Sequence, residues 1–159
     1  MESKLEGYLH KFQIEYVEHN HPAVFTVEES KKLKENIPGL HCKTLFLKDN
    51  NNNFYLLGMP AEKKLDSKKF REIFSLKKIR FATEEELKKQ VNLLPGSVSI
   101  FGIIYAEKEN VVLVLDKEVW SAKSVGFHPN VNTSTLELKH VDLKKFYDSL
   151  SNKKKIIEI

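Results

Sequence analysis

The strongest constraint on the fold is a pair of apolar runs, His41 to Lys48 and Phe54 to Met59, set apart by Asp49 and four consecutive asparagines, Asn50 to Asn53. Two such runs joined by a short polar stretch predict a β-hairpin with a polar loop. In the first run Lys43 falls on the face of Leu45 and Leu47, because strand residues two apart point to one side. A lysine placed there has two readings. It lays its stem along Leu45 and lifts its ammonium to the sheet edge, or it meets an anion such as phosphate as a fixed point charge.

The remaining pattern alternates short helices with strands. Leu5, Tyr8 and Leu9 at helical spacing predict a helix over 3–11, and Phe12 to Val17 alternates like a half-buried strand that His19-Asn20-His21-Pro22 interrupts. Thr26-Val27-Glu28-Glu29 and Thr83-Glu84-Glu85-Glu86 read as capping boxes opening two helices, the first ending before Pro38-Gly39 and the second closed by Leu94-Pro95-Gly96-Ser97. A helix over 67–74, strands over 78–81, 99–104, 111–115 and 133–138, and a closing helix through Val141, Leu143, Phe146 and Leu150 complete the reading. The fold class expected is α+β (mixed α/β): a curled, mixed, largely antiparallel sheet, or a barrel, surrounded by short helices.

At 159 residues, with 41% hydrophobic and 30% charged residues, the chain has the makings of one globular core and not of a disordered segment. Residues 1–151 read as a single domain and 152–159 as a charged tail. That tail carries +2 of the formal net charge of +4, which leaves too weak a bias elsewhere to argue nucleic-acid binding from charge alone. Lysine clusters such as Lys31, Lys32 and Lys34, or Lys63 and Lys64, read as solvated surface. No apolar run approaches the ~20 residues of a membrane helix and no signal-peptide stretch opens the chain, so a cytoplasmic protein without a membrane partner is expected, either free-standing or excised from a larger synthetase. One cysteine and no helix-spaced histidine pair give no basis for a disulfide or a metal site. No glycine-rich nucleotide loop is present, and no cofactor is expected.

Three other features carry chemistry. Pro95-Gly96-Ser97-Val98-Ser99 is either an ordinary turn or a loop presenting backbone amides to a carbonyl oxygen, as in acyl transfer. His128, between Phe127 and Pro129, is either a structural histidine bonded to backbone or a polar wall of a pocket, with Asn130, Asn132, Thr133 and Ser134 adding neutral hydrogen-bonding groups. Cys42 beside His41 suggests a thiolate dyad, but adjacent strand residues face opposite ways and cannot pair.

Taken together, His21-Pro22-Ala23-Val24-Phe25-Thr26-Val27-Glu28-Glu29, the Cys42 to Leu47 run, Met59-Pro60-Ala61-Glu62-Lys63, Pro95 to Ser99, Leu115-Asp116-Lys117 and Gly126-Phe127-His128-Pro129-Asn130 closely resemble the YbaK/prolyl-tRNA synthetase-associated editing domains, in order over nearly the whole chain. Within that family the likeness is to free-standing alanyl-tRNA(Pro) deacylases and PrdX-type proteins. The resemblance implies hydrolysis of the ester joining a wrong amino acid to the tRNA end, without metal or cofactor. It implies that Lys43 meets the terminal adenosine and its phosphate, and that the amides of Gly96, Ser97, Val98 and Ser99 hold the aminoacyl carbonyl. Thr44, Ile100, Phe127, His128 and Asn130 would line the substrate site. The acceptor end of tRNA(Pro) is the implied partner, with prolyl-tRNA synthetase or an elongation factor beside it. Ile100 stands where the family's loop usually has proline and Thr44 where many relatives have asparagine. These departures keep two alternatives open: a non-catalytic tRNA- or synthetase-binding regulatory module, and a deacylase for cysteine, serine or another small amino acid.

Overall fold

The computed structural model describes residues 1–23 and 27–159, with the backbone alone at 27, 30, 33 and 34. The elements are α1 (Ser3–Lys11), β1 (Val17–Asn20), α2 (Val27–Asn36), β2 (Leu40–Asp49), β3 (Phe54–Pro60), α3 (Ser67–Phe74), β4 (Ile79–Phe81), α4 (Glu84–Val91), a 3-10 helix (Ile100–Tyr105), β5 (Val111–Asp116), α5 (Lys117–Ser121), β6 (Ser124–Phe127), β7 (Ser134–Lys139), α6 (His140–Ser149) and β8 (Lys154–Ile157). The expected hairpin is β2–β3, in register from Cys42 opposite Pro60 to Lys48 opposite Phe54. Its asparagine turn is held by Asp49, whose carboxylate accepts from the amides of Asn51 (2.7 Å) and Asn53 (2.9 Å).

The sheet runs β1-β7-β6-β2-β3-β5-β8, with β4 also against β2. The β1–β7, β7–β6, β2–β3 and β2–β4 pairs are antiparallel, and β6–β2, β3–β5 and β5–β8 are parallel. The α+β mixed sheet is as expected, but it stays open among the described residues: β1 and β8 end the path without pairing to each other, so the barrel alternative is not what forms.

Alternation along β2 splits the interior in two. Cys42 and Phe46 join Leu5 and Leu9 of α1, Phe101, Phe127 and Phe146 in one buried cluster, while Leu47 joins Tyr55, Leu57, Met59, Phe70 and Ile157 in another on the opposite face. Fully burying such side chains contributes roughly 1.5–3 kcal/mol each before entropy is counted.

Several local expectations are corrected. Phe12 to Val17 does not form a strand. Gln13 turns at φ 57° and Ile14 N donates to Leu9 O, folding Ile14 into the core, so the strand begins at Val17 and runs through His19 and Asn20. The run 99–104 is not a strand but the 3-10 helix, opened by Ser99 Oγ accepting from Phe101 N at 3.2 Å. A short apolar run buried on all sides has no periodicity to separate the two. Strands β6 and β8 and helix α5 were not anticipated. Of the two capping boxes, Thr83 and Glu86 form theirs, the hydroxyl and carboxylate bonding each other's amides, and Thr26 lies outside the described residues.

Candidate active site

Strand β2 has two short neighbours on one edge. Strand β6 pairs only with Leu40 and His41, β4 only with Leu47 to Asp49, and Phe46 O accepts from Ala82 N. Residues two apart in a strand direct their backbone groups the same way, so Thr44 N–H and C=O point into the gap between these neighbours. The registers then assign side chains to faces. His41, Lys43, Gly126, Glu137, Thr135 and His19 lie on one face, and Cys42, Thr44, Val125, Phe127 and Leu136 on the other.

Lys43 is half-buried opposite Met59. Among the described residues it has no ion pair or hydrogen bond. Desolvation alone lowers its pKa below the usual lysine range. A cation with thinned hydration and no carboxylate is poised for an incoming anion.

On the same face stand two imidazoles. His128 Nδ1 donates to Ser134 O at 3.0 Å, which leaves Nε2 with its lone pair. Burial lowers the His128 pKa, the Ser134 carbonyl opposes this, and His21 adds to the lowering, so the ring is neutral at pH 7. His21 lies 6.1 Å away, centroid to centroid, and its Nε2 bonds Thr135 Oγ1 at 2.9 Å. His19 pairs with Glu137 at 2.9 Å further along the face.

The opposite face holds the rest. A Cβ on Gly58, the residue opposite Thr44, would meet Ile100 and Leu115 at 3.0 Å and Phe127 at 3.2 Å. Thr44, Ile100 and Phe127 therefore converge, and Thr44 Oγ1 is buried with no partner among the described residues. Ile100, 0% exposed, is a core side chain. In the preceding loop Gly96 is exposed at φ +85°, which favours glycine, and Ser97 N donates to Leu94 O in a turn. Val98 packs on the core, and the amides of Gly96, Val98 and Ser99 have no acceptor among the described residues, Ser99 itself being fully buried. The Ser99 hydroxyl is occupied in capping the 3-10 helix. A ligand touching both Lys43 and the Ile100 side must therefore cross the gap beside Thr44.

Asn130 is tied into the protein through its amide nitrogen, and its Oδ1 is buried with no partner among the described residues. Its backbone is left-handed (φ 64°) and its Nδ2 donates to Glu2 Oε1 at 3.0 Å, so it anchors the loop after His128. Glu2, His21 and Thr135 were assigned no role from the sequence. Only the His21-Pro22 dipeptide carried any signal, and nothing marked Glu2. Cys42 is excluded as a nucleophile: burial pushes its thiol up to about 12, and Sγ donates to Leu40 O. No group of metal-ligating side chains occurs among the described residues.

A cation without a partner among the described residues and a neutral imidazole with a free lone pair share one face beside a break in a sheet edge, with the 96–99 turn leading into Ile100 on the other face, and this defines an α+β domain suited to an anionic ligand. Residues 21–146 match the aminoacyl-tRNA editing domain family, and the chain belongs to it. It is 34% identical over 153 residues to the prolyl-tRNA editing protein ProX of Acetoanaerobium sticklandii, covering 95% of this chain and 93% of that one. It is 27% identical to prolyl-tRNA synthetase associated domain-containing protein 1 of Danio rerio, over 93% and 82% of the two chains. Among solved structures the fold is shared with hypothetical protein APE2540 (TM-score 0.76, 20% identity, 97% and 98% covered). It is also shared with a candidate trans-editing enzyme for prolyl tRNA synthetase (TM-score 0.77, 16% identity, 99% and 97% covered).

Proposed function

We propose that this protein is a trans-editing aminoacyl-tRNA deacylase that hydrolyses mischarged alanyl-tRNA(Pro). The observation that carries the reading is Lys43, a half-buried lysine without a carboxylate, on the histidine-bearing face of a chain in the editing-domain family. Its ammonium binds the phosphate at the tRNA end. The amides of Gly96, Ser97, Val98 and Ser99 serve the aminoacyl carbonyl, Ser97 by exchanging its turn bond, and one such donor contributes on the order of 3 kcal/mol to the transition state. Water adds to the carbonyl carbon, the bond to the ribose oxygen breaks, and that oxygen leaves with a proton as the tRNA hydroxyl. Neutral His128 borders the amino-acid side from the face of Lys43, and Phe127, Thr44 and Ile100 set the depth of the pocket from across the gap.

Such an enzyme answers a size problem. A site built for proline excludes alanine poorly, because each missing methylene is worth only ~1–3 kcal/mol. A second, smaller pocket removes the error. The partner is the tRNA(Pro) acceptor end, in the cytoplasm, with prolyl-tRNA synthetase or an elongation factor delivering it.

The test is single-turnover deacylation of alanyl-tRNA(Pro) by the wild type and by Lys43→Ala, with prolyl-tRNA(Pro) as the substrate to be spared. Loss of alanine only, abolished by the substitution, supports the assignment. Turnover of cysteinyl- or seryl-tRNA in place of alanyl-tRNA moves the substrate, and binding without turnover makes the protein a regulatory module.

A further inference from the structure

Away from Lys43, at the far end of β2, a groove of about 460 Å³ opens between α3, β4 and the asparagine turn, lined by Lys48, Arg71, Lys77, Lys78 and Arg80 with Asp49 and Asn50. Five cations in one concavity face two carboxylates. Glu86 takes Lys48 at 2.7 Å and Arg80 at 2.8 Å, and the Asp49 carboxylate is turned to its own loop and to Tyr55 OH. Arg71, Lys77 and Lys78 have no carboxylate within ion-pair distance among the described residues.

Arg71 is held at its guanidinium, and Lys77 and Lys78 are held through their backbone. Arg71 Nε donates to Ser67 O and Nη1 to Lys77 O, which fixes the plane of the guanidinium and leaves Nη2 free of the protein. The amides of Lys77 and Lys78 both donate to Asn50 Oδ1 at 3.2 Å, so the two lysines are tied to the β2–β3 turn. A guanidinium with a free nitrogen, beside two exposed lysines on a fixed backbone, supplies the point charges and the planar donor that phosphate oxygens take. Lys48 lies five positions along β2 from Lys43, about 17 Å at strand rise.

We infer that this groove binds the sugar-phosphate backbone of the tRNA acceptor stem while the aminoacylated end lies at Lys43. This rests on the deacylase reading for the second half of the statement only. The contacts are to phosphate, so the groove supplies affinity and register and no base specificity.

The test measures binding of an uncharged acceptor-stem RNA hairpin by fluorescence anisotropy across a salt series, and deacylation of full alanyl-tRNA(Pro) and of an alanylated short oligonucleotide without a stem. The proteins are the wild type, Arg71→Glu/Lys77→Glu/Lys78→Glu and, to spare the Arg71 backbone bonds, Lys77→Glu/Lys78→Glu. Both variants should weaken hairpin binding at least about tenfold. The triple variant should flatten the log Kd against log salt slope by about two to three. On full tRNA the loss should appear in KM, with the short substrate turned over as by the wild type. Unchanged hairpin affinity and salt slope in both variants overturns the groove. A wild type that binds the hairpin through the groove yet deacylates nothing overturns the deacylase reading and leaves the groove standing.

Discussion

Glu2 Oε1 accepts from Asn130 Nδ2 at 3.0 Å, so a residue at the chain's start grips the loop that follows His128. The other carboxylate oxygen, Oε2, accepts from Tyr105 OH at 2.7 Å, at the end of the 3-10 helix that follows the 96–99 loop. One side chain thus ties together both segments assigned to the substrate.

Glu2→Ala removes two charge-assisted bonds and leaves the buried Asn130 amide unpaired. The expected loss is about 1–3 kcal/mol, and for a chain of this size a melting temperature lower by about 2 to 10 °C. Calorimetry checks it; an unchanged Tm would mean that water replaces both bonds at no cost.

Lys43→Met should separate stability from activity. The ammonium is partly desolvated with no partner among the described residues, so replacing it with an apolar side chain of similar length leaves Tm unchanged or raised, while deacylation falls by about 10²–10³ if the lysine serves the reacting end. Paired melting curves and single-turnover rates read both. A fall in Tm matching the loss of activity would make Lys43 structural.

His128 should make stability depend on pH in a defined direction. Its folded pKa lies below that of the unfolded chain, near 6.5, so the unfolded chain binds the proton first. The contribution is fully present above about pH 6.5 and is lost as pH falls through that value toward the folded pKa. Urea unfolding of the wild type and His128→Asn between pH 5 and 8 should show the wild-type advantage growing with pH. A constant difference would contradict a lowered pKa.

Cys42 should be silent. With its thiol pushed up to about 12 and the residue buried, iodoacetamide at pH 8 should label it only after denaturation. Cys42→Ala should deacylate at the wild-type rate. Rapid labelling of the native protein would return the thiol to consideration.

Local signals in the sequence were strong where a side chain reports on its own backbone. The capping box at Thr83, the helix over Ser67–Phe74 and the asparagine turn of the hairpin are read from neighbours within four residues, and all three form. The face of Lys43 was likewise legible, since alternation needs no tertiary knowledge. What failed needed distant partners. Strand β6 is four residues long and exists because β2 and β7 flank it. Strand β8 looks like a charged tail because Lys154 and Lys155 alternate around a pairing with β5 that no local rule announces. The role of Glu2 rests on Asn130, 128 residues away. Family likeness proposed His128 and the 96–99 loop as a set, but did not show that Thr44 and Lys43 look to opposite sides of one strand.

That opposition gives the asparagine turn a second meaning. Both halves of the sheet take their phase from β2, and strand phase has only two values. A slip of one residue would exchange Lys43 and Thr44, sending the ammonium into the phenylalanine core and the hydroxyl among the histidines. By clamping the amides of Asn51 and Asn53, Asp49 fixes the length of the turn and hence the alignment of β3 against β2. The carboxylate that looks like loop decoration is the gauge that keeps the Lys43 ammonium out of the phenylalanine cluster.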